Sequence, residues 1–138
     1  MMKLLLADDH QAMRKAISDL LQGCADVRLV AEAGNFREVI NLTRAVRPDV
    51  VLIDIHMPDE KKVELSELKT LDCQLLAMSL WTNQETKDLA KSLGAVALLD
   101  KANLGTELLP SLKLCAQRRS ALDQPNQQIQ ATPDNLYP

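Results

Sequence analysis

The amino-acid sequence predicts an α/β domain in which helices cover both faces of a doubly wound, five-stranded parallel sheet. Five short runs rich in valine, isoleucine and leucine begin near residues 3, 27, 50, 75 and 96 of the 138-residue chain. The successive intervals are 24, 23, 25 and 21 residues, each long enough for one strand, one helix and two short loops. Residues 4–6 and 50–53 are apolar without alternation, which is typical of parallel strands buried on both faces.

The first two predicted helices follow the first two apolar runs. Helical spacing links four apolar residues of the first helix, Met13, Ile17, Leu20 and Leu21. Gly23 supplies a stop for that helix. Asn35 with Glu38 three residues later is typical of a helix start, and Pro48 ends the second helix.

The last two predicted helices follow the fourth and fifth runs. Thr82 with Glu85 forms a second capping pattern, and Gly94 closes that helix. The final helix is predicted over residues 106–119, with a late start because Pro110 is poorly tolerated inside a helix. Its predicted inward-facing residues are Leu109, Leu112 and Cys115.

Composition excludes several classes of function. The chain carries 16 basic and 19 acidic residues, a net charge of −3, which argues against direct nucleic-acid binding by this chain. Only three residues are aromatic, Phe36, Trp81 and Tyr137, so a site that stacks bases or a flavin ring is not expected. Three scattered cysteines favour the reducing cytoplasm. No signal peptide or membrane span is expected, because no apolar run approaches the ~18 residues that a span needs.

The composition changes near the end of the chain, and this change sets the predicted domain boundary. Residues 120–138 are polar, contain three prolines and lack an apolar face. We therefore expect one folded domain over residues 1–119, followed by a disordered tail or linker over residues 120–138.

Polar side chains follow four of the predicted strands at the points where these strands end. They are Asp8 and Asp9 after the first, Asp54 after the third, Ser79 after the fourth and Lys101 after the fifth. Ligands of doubly wound sheets bind at the carboxyl ends of the strands, so these groups should share one crevice. Carboxylates crowded together repel one another, and Mg²⁺ resolves this conflict with oxygen ligands.

The other strand-end groups suit a phosphoryl group. Lys101 supplies a positive charge and Ser79 a hydrogen bond to phosphoryl oxygens. Phosphoryl transfer depends mainly on positioning and charge neutralisation, which this set provides. Asp54, after the central run, is the candidate nucleophile, since a carboxylate can accept a phosphoryl group.

At these positions the chain resembles the receiver domains of bacterial two-component response regulators (CheY-like domains). The matching segments are Leu-Leu-Leu-Ala-Asp-Asp-His at residues 4–10, Pro-Asp-Val-Val-Leu-Ile-Asp-Ile-His-Met-Pro at 48–58, Ala-Met-Ser at 77–79, and Leu-Gly-Ala-Val-Ala-Leu-Leu-Asp-Lys at 93–101. The resemblance spans about residues 3–117. His10, Arg14 and the glutamine-rich tail are similar to the subgroup whose output domain is a LuxR-like helix-turn-helix.

The resemblance implies a flavodoxin-like (βα)5 fold with strand order 2-1-3-4-5. It implies that Asp54 accepts a phosphoryl group from a sensor histidine kinase or a histidine phosphotransfer protein, with no turnover of other substrates. It assigns Mg²⁺ to the carboxylates of Asp8, Asp9 and Asp54 and to the backbone carbonyl of His56, and it makes Ser79 and Lys101 the switch hydroxyl and the phosphoryl-binding lysine. A homodimer is compatible with this family, and a membrane partner is not implied.

Departures from the family pattern keep an alternative open. Lys62 stands where the family usually has glycine, and Leu98 replaces its switch aromatic. The 25 residues between Asp54 and Ser79 predict a shortened third helix. These features favour a phosphorylation-independent interaction domain as the alternative function. The mixed-charge residues 59–69 are interpreted as a solvated helix face, and the His10 and His56 side chains as neighbours rather than ligands of the cation.

Two further functions fit the sequence less well. A haloacid-dehalogenase-like phosphatase would need a second acid two residues after the nucleophile, where this chain has His56. A flavodoxin-like cofactor binder would need a first loop rich in serine, threonine and glycine, whereas Asp8 and Asp9 repel an anion there.

Overall fold

The computed structural model describes residues 1–122 and contains the predicted five-stranded sheet. Its strands are β1 (Met2–Ala7), β2 (Val27–Ala33), β3 (Val50–Asp54), β4 (Gln74–Ser79) and β5 (Ala97–Asp100). All neighbouring strands are parallel, in the order β2-β1-β3-β4-β5. The predicted fold class and strand order are therefore confirmed, with β2 at one edge.

Four α-helices pack on the sheet: α1 (Gln11–Gln22), α2 (Phe36–Val46), α3 (Gln84–Ser92) and α4 (Leu104–Leu122). Alternate residues of β3 face opposite sides: Val51 and Ile53 join the core that contains Phe36, whereas Val50 and Leu52 join the other core. Every residue of β3 is buried, which explains why the sequence of this strand does not alternate.

The helix ends agree with the sequence in part. The Asn35 side chain accepts a hydrogen bond from the Glu38 N–H at 2.8 Å, as the first capping pattern predicts. The predicted cap at Thr82 is wrong, because Asn83 takes that role and accepts from the Thr86 N–H at 2.9 Å. Threonine and asparagine can both cap a helix. Here Asn83 is the cap, because its side chain accepts the hydrogen bond from an N–H of the first helical turn.

The last helix begins earlier than predicted, at Leu104, and it contains Pro110. Pro110 cannot donate to the carbonyl of Thr106, but both residues are exposed, so water can take that partner's place. Leu109 is also exposed, contrary to the prediction, and its neighbour Leu108 is buried instead. The earlier start sets which side of α4 meets the sheet.

Exposure differs from the prediction at one further apolar position, since Leu20 lies on the exposed side of α1. At the other end of the domain, α4 continues to Leu122, three residues past the predicted boundary. The rest of the predicted tail lies outside the described residues. Among residues 1–122, no helix combines the length and the apolar character that crossing a membrane requires.

The segment between β3 and β4 contains a short 3₁₀ helix, Leu65–Thr70, in place of a third α-helix of ordinary length. Asp59, at the start of this segment, is not part of a solvated helix face. Its two carboxylate oxygens accept hydrogen bonds from the N–H groups of Phe36 and Arg37 at 2.9 and 3.0 Å. The loop after β3 is thereby tied to the N-terminus of α2, where a negative charge is favourable.

This cap is expected to contribute measurably to stability. Asp59→Ala should lower the free energy of unfolding by about 1 kcal/mol, because it removes the acceptor of two first-turn N–H groups. Urea unfolding followed by circular dichroism measures the loss. The matched control is Lys61→Ala, an exposed change in the same loop that should leave the midpoint within error. Equal stability of Asp59→Ala and Lys61→Ala would show that the cap contributes nothing.

Candidate functional site

The carboxyl ends of β3, β4 and β5 open onto one cleft of about 570 Å³, and Asp8 and Asp9, which follow β1, are not among the residues that line it. Four residues singled out from the sequence line this cleft: Asp54, His56, Ser79 and Lys101. Asp54 and Ser79 are the last residues of β3 and β4, and Lys101 follows β5 directly. Parallel pairing of β3 with β4, and of β4 with β5, aligns these strand ends.

A buried ion-pair group joins three of the strand ends. Lys101 Nζ lies 2.5 Å from Asp8 Oδ2 and 2.9 Å from Asp54 Oδ2. The side chains are at most 7% exposed, so solvent screens these pairs weakly. The other oxygen of Asp54, Oδ1, accepts a hydrogen bond from the His56 N–H at 2.8 Å. Both oxygens of Asp54 therefore have a fixed partner.

The surroundings shift the pKa values of two of these groups. Burial raises the pKa of the Asp54 carboxyl, although the Lys101 ammonium and the His56 N–H act in the opposite direction. Burial alone would lower the pKa of Lys101, but its hydrogen bonds to Asp8 and Asp54 and their negative charges outweigh burial and raise it. Lys101 is consequently a permanent positive charge at neutral pH.

Asp8, Asp9 and His10 form an acidic group beside the cleft, and of these three residues only His10 lines the cleft. His10 Nδ1 lies 3.4 Å from Asp8 Oδ1 and 3.3 Å from Asp9 Oδ1. One ligand atom from each of Asp8, Asp9 and His10 falls within 4.8 Å of the others. The His10 side chain is 72% exposed, as expected of a surface residue, yet its ring nitrogen reaches both carboxylates. From the sequence, His10 is expected to be a neighbour rather than a ligand of the cation, and only its position next to the acidic pair points to this contact.

The donor set fits a divalent cation. Three ionised carboxylates, Asp8, Asp9 and Asp54, and one ammonium, Lys101, carry a formal charge of −2. Asp9 Oδ1 is buried and accepts no hydrogen bond from the described residues. An unsatisfied buried carboxylate oxygen is costly, and a hard cation such as Mg²⁺ satisfies it. Asp54 stands outside the compact group of three and is linked to it through Lys101.

The opposite wall of the cleft carries Ser79, His56 and Trp81. Ser79 is buried, and its Oγ accepts a hydrogen bond from the Trp81 N–H at 3.0 Å. The hydroxyl hydrogen of Ser79 is left to donate toward the cleft. The rings of His56 and Trp81 meet edge to face with centroids 5.3 Å apart. Leu80 and Trp81 are large apolar residues that are more than half exposed at the rim.

Arg14 supports the acidic pair in a way that sequence reasoning missed. Its Nη1 donates to the backbone carbonyl of Asp8 at 2.5 Å, and its Nε lies 3.3 Å from Glu32 Oε1 on β2. Arg14 therefore links the end of β1 to the end of the edge strand. In the sequence, Arg14 was noted only for its similarity to the LuxR-like subgroup, which gave no sign of this contact.

Removing the Lys101 charge should expose the repulsion in the buried group. In EDTA, Lys101→Met should lower the free energy of unfolding by about 3 kcal/mol, because Asp8 and Asp54 are left buried without a cation. Adding Asp54→Asn should restore part of this loss, because it removes one of the two charges. Urea unfolding measures both effects, with Lys113→Met, an exposed lysine on α4, as the control. A Lys101→Met variant as stable as the control would contradict the charge assignment.

Comparison with known proteins assigns the family. The model of the response regulator receiver domain matches residues 4–113. The transcriptional activator DevR/DosR of Mycobacterium tuberculosis is 34% identical over 128 residues, covering 89% of this chain and 58% of that protein. The nitrate/nitrite response regulator NarL of Escherichia coli K12 is 30% identical over 124 residues, covering 88% and 57%. The chain thus spans less than two thirds of the length of these curated relatives.

Solved structures agree with this assignment. The signal receiver domain of the response regulator NarL from Mycobacterium tuberculosis superposes with a TM-score of 0.74 at 27% identity, covering 84% of this chain and 96% of that one. The order of the five parallel strands is the flavodoxin-like order that the resemblance implied. The chain belongs to the receiver domain family of two-component response regulators.

Proposed function

We propose that this receiver domain accepts a phosphoryl group from a phosphohistidine onto Asp54. The observation that carries the proposal is the setting of the Asp54 carboxylate. It lies at the end of the central strand, faces an open cleft, and has Oδ1 fixed by the His56 N–H and Oδ2 fixed by Lys101. A fixed carboxylate loses little freedom on reaching an in-line position, which is the main contribution a protein makes to phosphoryl transfer.

The proposed reaction exchanges one bond at phosphorus for another. A carboxylate oxygen of Asp54 forms a bond to phosphorus, the bond between phosphorus and the donor imidazole nitrogen breaks, and the imidazole leaves with the electron pair. The Lys101 ammonium, 2.9 Å from Asp54, neutralises charge that moves onto the phosphoryl oxygens. The Ser79 hydroxyl, at the neighbouring strand end, can donate a hydrogen bond to one of them.

Mg²⁺ is the cation that we propose for the acidic end of this site. Asp8, Asp9 and Asp54 would hold it through their carboxylates, and the carbonyl of His56 remains the proposed fourth protein ligand. When bound, the ion supplies further charge neutralisation at the transferring group. The −2 formal charge of the site supports a divalent ion.

We infer the partners from the proposed phosphoryl transfer and the cellular compartment from the cysteines. The phosphoryl donor is a sensor histidine kinase or a histidine phosphotransfer protein, and a second copy of the chain is a further candidate partner. The domain catalyses only changes at its own Asp54 and has no other substrate. The three unpaired cysteines support a reducing compartment, so we propose the cytoplasm. The curated relatives are longer than this chain. That the domain controls an output activity is therefore also part of the proposal.

A phosphorylation-independent interaction domain is the second candidate function. The segment that follows Asp54 favours it, because a six-residue 3₁₀ helix replaces a longer helix there. Leu98 also favours it, since this buried apolar side chain offers no hydroxyl to a rearranged loop. In this case the exposed Leu80 and Trp81 would contact a partner whether or not Asp54 is modified.

Chemical phosphorylation separates the two candidates. Wild-type protein incubated with acetyl phosphate and Mg²⁺ should gain the mass of one phosphoryl group in intact-protein mass spectrometry. The adduct should be absent without Mg²⁺ and in Asp54→Asn, which keeps the shape of the side chain but lacks the nucleophile. An unmodified wild-type protein, in a preparation shown by circular dichroism to be folded, would favour the interaction domain.

Mg²⁺ binding should depend on the acidic pair. Asp9→Asn should abolish binding, because Asp9 Oδ1 accepts no hydrogen bond from the described residues and has only the His10 ring beside it, and Asp8→Asn should weaken it, because Lys101 already satisfies part of Asp8. Trp81 lines the cleft, so its fluorescence should report the titration. Asp19→Asn, an exposed carboxylate on α1, is the matched control. Undiminished binding by the Asp8→Asn/Asp9→Asn double variant would place the ion elsewhere.

A further inference from the structure

The loop that follows β3 is held by hydrogen bonds at two points. At its start, the His56 N–H donates to Asp54 Oδ1 at 2.8 Å. Further along, the two carboxylate oxygens of Asp59 accept the N–H groups of Phe36 and Arg37 at 2.9 and 3.0 Å. The loop therefore connects the candidate phosphoryl acceptor directly to the first turn of α2.

The stretch between these two points has one further anchor. Met57 is buried in an apolar core, and it is the only buried residue among residues 56–64. Its carbonyl accepts a hydrogen bond from the Glu60 N–H at 3.1 Å, so the turn that carries Asp59 is built directly on it. A methionine side chain adapts to several positions in a core. The orientation of the stretch, and with it that of the His56 N–H, therefore depends on the polar anchor at Asp59.

We propose that Asp59 is a positioning residue for the phosphorylation of Asp54 and that it acts through the His56 N–H. Lys101 holds one oxygen of Asp54, Oδ2, and the loop holds the other. Without the loop contact the carboxylate is free to turn about the Lys101 ammonium, and a misplaced nucleophile reacts slowly. The proposal rests on the proposed function in taking Asp54 as the acceptor.

The N-terminus of α2 has a second cap, and this cap provides the matched control. Asn35, directly before the helix, accepts a hydrogen bond from the Glu38 N–H at 2.8 Å. Asn35→Ala therefore weakens the same helix end by the same mechanism as Asp59→Ala. It leaves the hydrogen bonds between Asp59 and α2 in place, so the loop after β3 keeps its anchor.

The experiment compares wild type, Asp59→Ala, Asp59→Asn and Asn35→Ala, each shown by circular dichroism to be folded. NMR of the metal-free, unphosphorylated protein records the His56 amide proton, which a hydrogen bond to a carboxylate holds downfield. Mass spectrometry follows phosphorylation by acetyl phosphate at saturating Mg²⁺. Asp59→Ala should move the His56 resonance upfield and slow phosphorylation about tenfold. Asn35→Ala should leave the resonance and the rate at their wild-type values.

Asp59→Asn separates the hydrogen bonds of Asp59 from its charge. Asparagine lacks the negative charge but keeps one oxygen that can accept an N–H of α2. In both measurements Asp59→Asn should therefore lie closer to wild type than Asp59→Ala does. Equal effects of the two substitutions would overturn the positioning role, because they would show that only the charge of Asp59 matters.

The other outcomes separate this proposal from the proposed function. An unmoved His56 resonance in Asp59→Ala, or a moved resonance with an unchanged rate, would overturn the proposal. Equal changes in Asp59→Ala and Asn35→Ala would also overturn it, because they would trace the effect to α2 rather than to the loop. If the resonance moves only in the Asp59 variants but wild type is not phosphorylated, Asp59 still positions His56 and the proposed function fails.

Discussion

The site is organised around the ammonium of Lys101, which lies between two buried carboxylates. Asp8 follows β1, Asp54 ends β3 and Lys101 follows β5, so one ion-pair group connects strands across most of the sheet. Buried charges without partners are strongly destabilising, so the alignment of the ends of β1, β3 and β5 and the placement of the Lys101 side chain depend on one another. The helices cover the two faces of the sheet, where the two apolar cores lie.

The single ammonium of Lys101 cannot balance the carboxylates of Asp8, Asp9 and Asp54. The remaining formal charge of −2 favours binding of a cation. Lys101 contacts Asp8 and Asp54 but not Asp9, whose Oδ1 accepts no hydrogen bond from the described residues. In the proposed function, a dication would restore the balance at the acidic end, and a phosphoryl group on Asp54 would add negative charge at the end that Lys101 occupies. His10 lies at the edge of the same group of charges, with its Nδ1 3.3 Å from Asp9 Oδ1.

The sheet could be predicted from the sequence because burial on both faces leaves a direct signature, the unbroken apolar runs of β1 and β3. The strand-end residues followed from the fold, since parallel strands bring their carboxyl ends together. Contacts between segments that are distant in the chain leave no such pattern in the sequence. Asp59 caps a helix that begins 23 residues earlier, and its sequence neighbours suggested only a solvated face.

Helix surfaces were predicted less well for a different reason. Leu108 and Leu109 are both apolar, and the start of α4 decides which one meets the sheet. Thr82 and Asn83 are both capable caps, and local geometry chooses between them. The contact of His10 with the acidic pair was missed because a neighbouring position in sequence does not say where a ring nitrogen points.

The central claim is that Asp54, rather than Asp8 or Asp9, carries the phosphoryl group. Borohydride reduces an acyl phosphate to an alcohol and leaves free carboxylates intact, so it marks the modified residue permanently. Protein treated with acetyl phosphate and Mg²⁺, then reduced, digested and sequenced by mass spectrometry, should carry homoserine at position 54 alone. Homoserine at position 8 or 9, with Asp54 unchanged, would contradict the account.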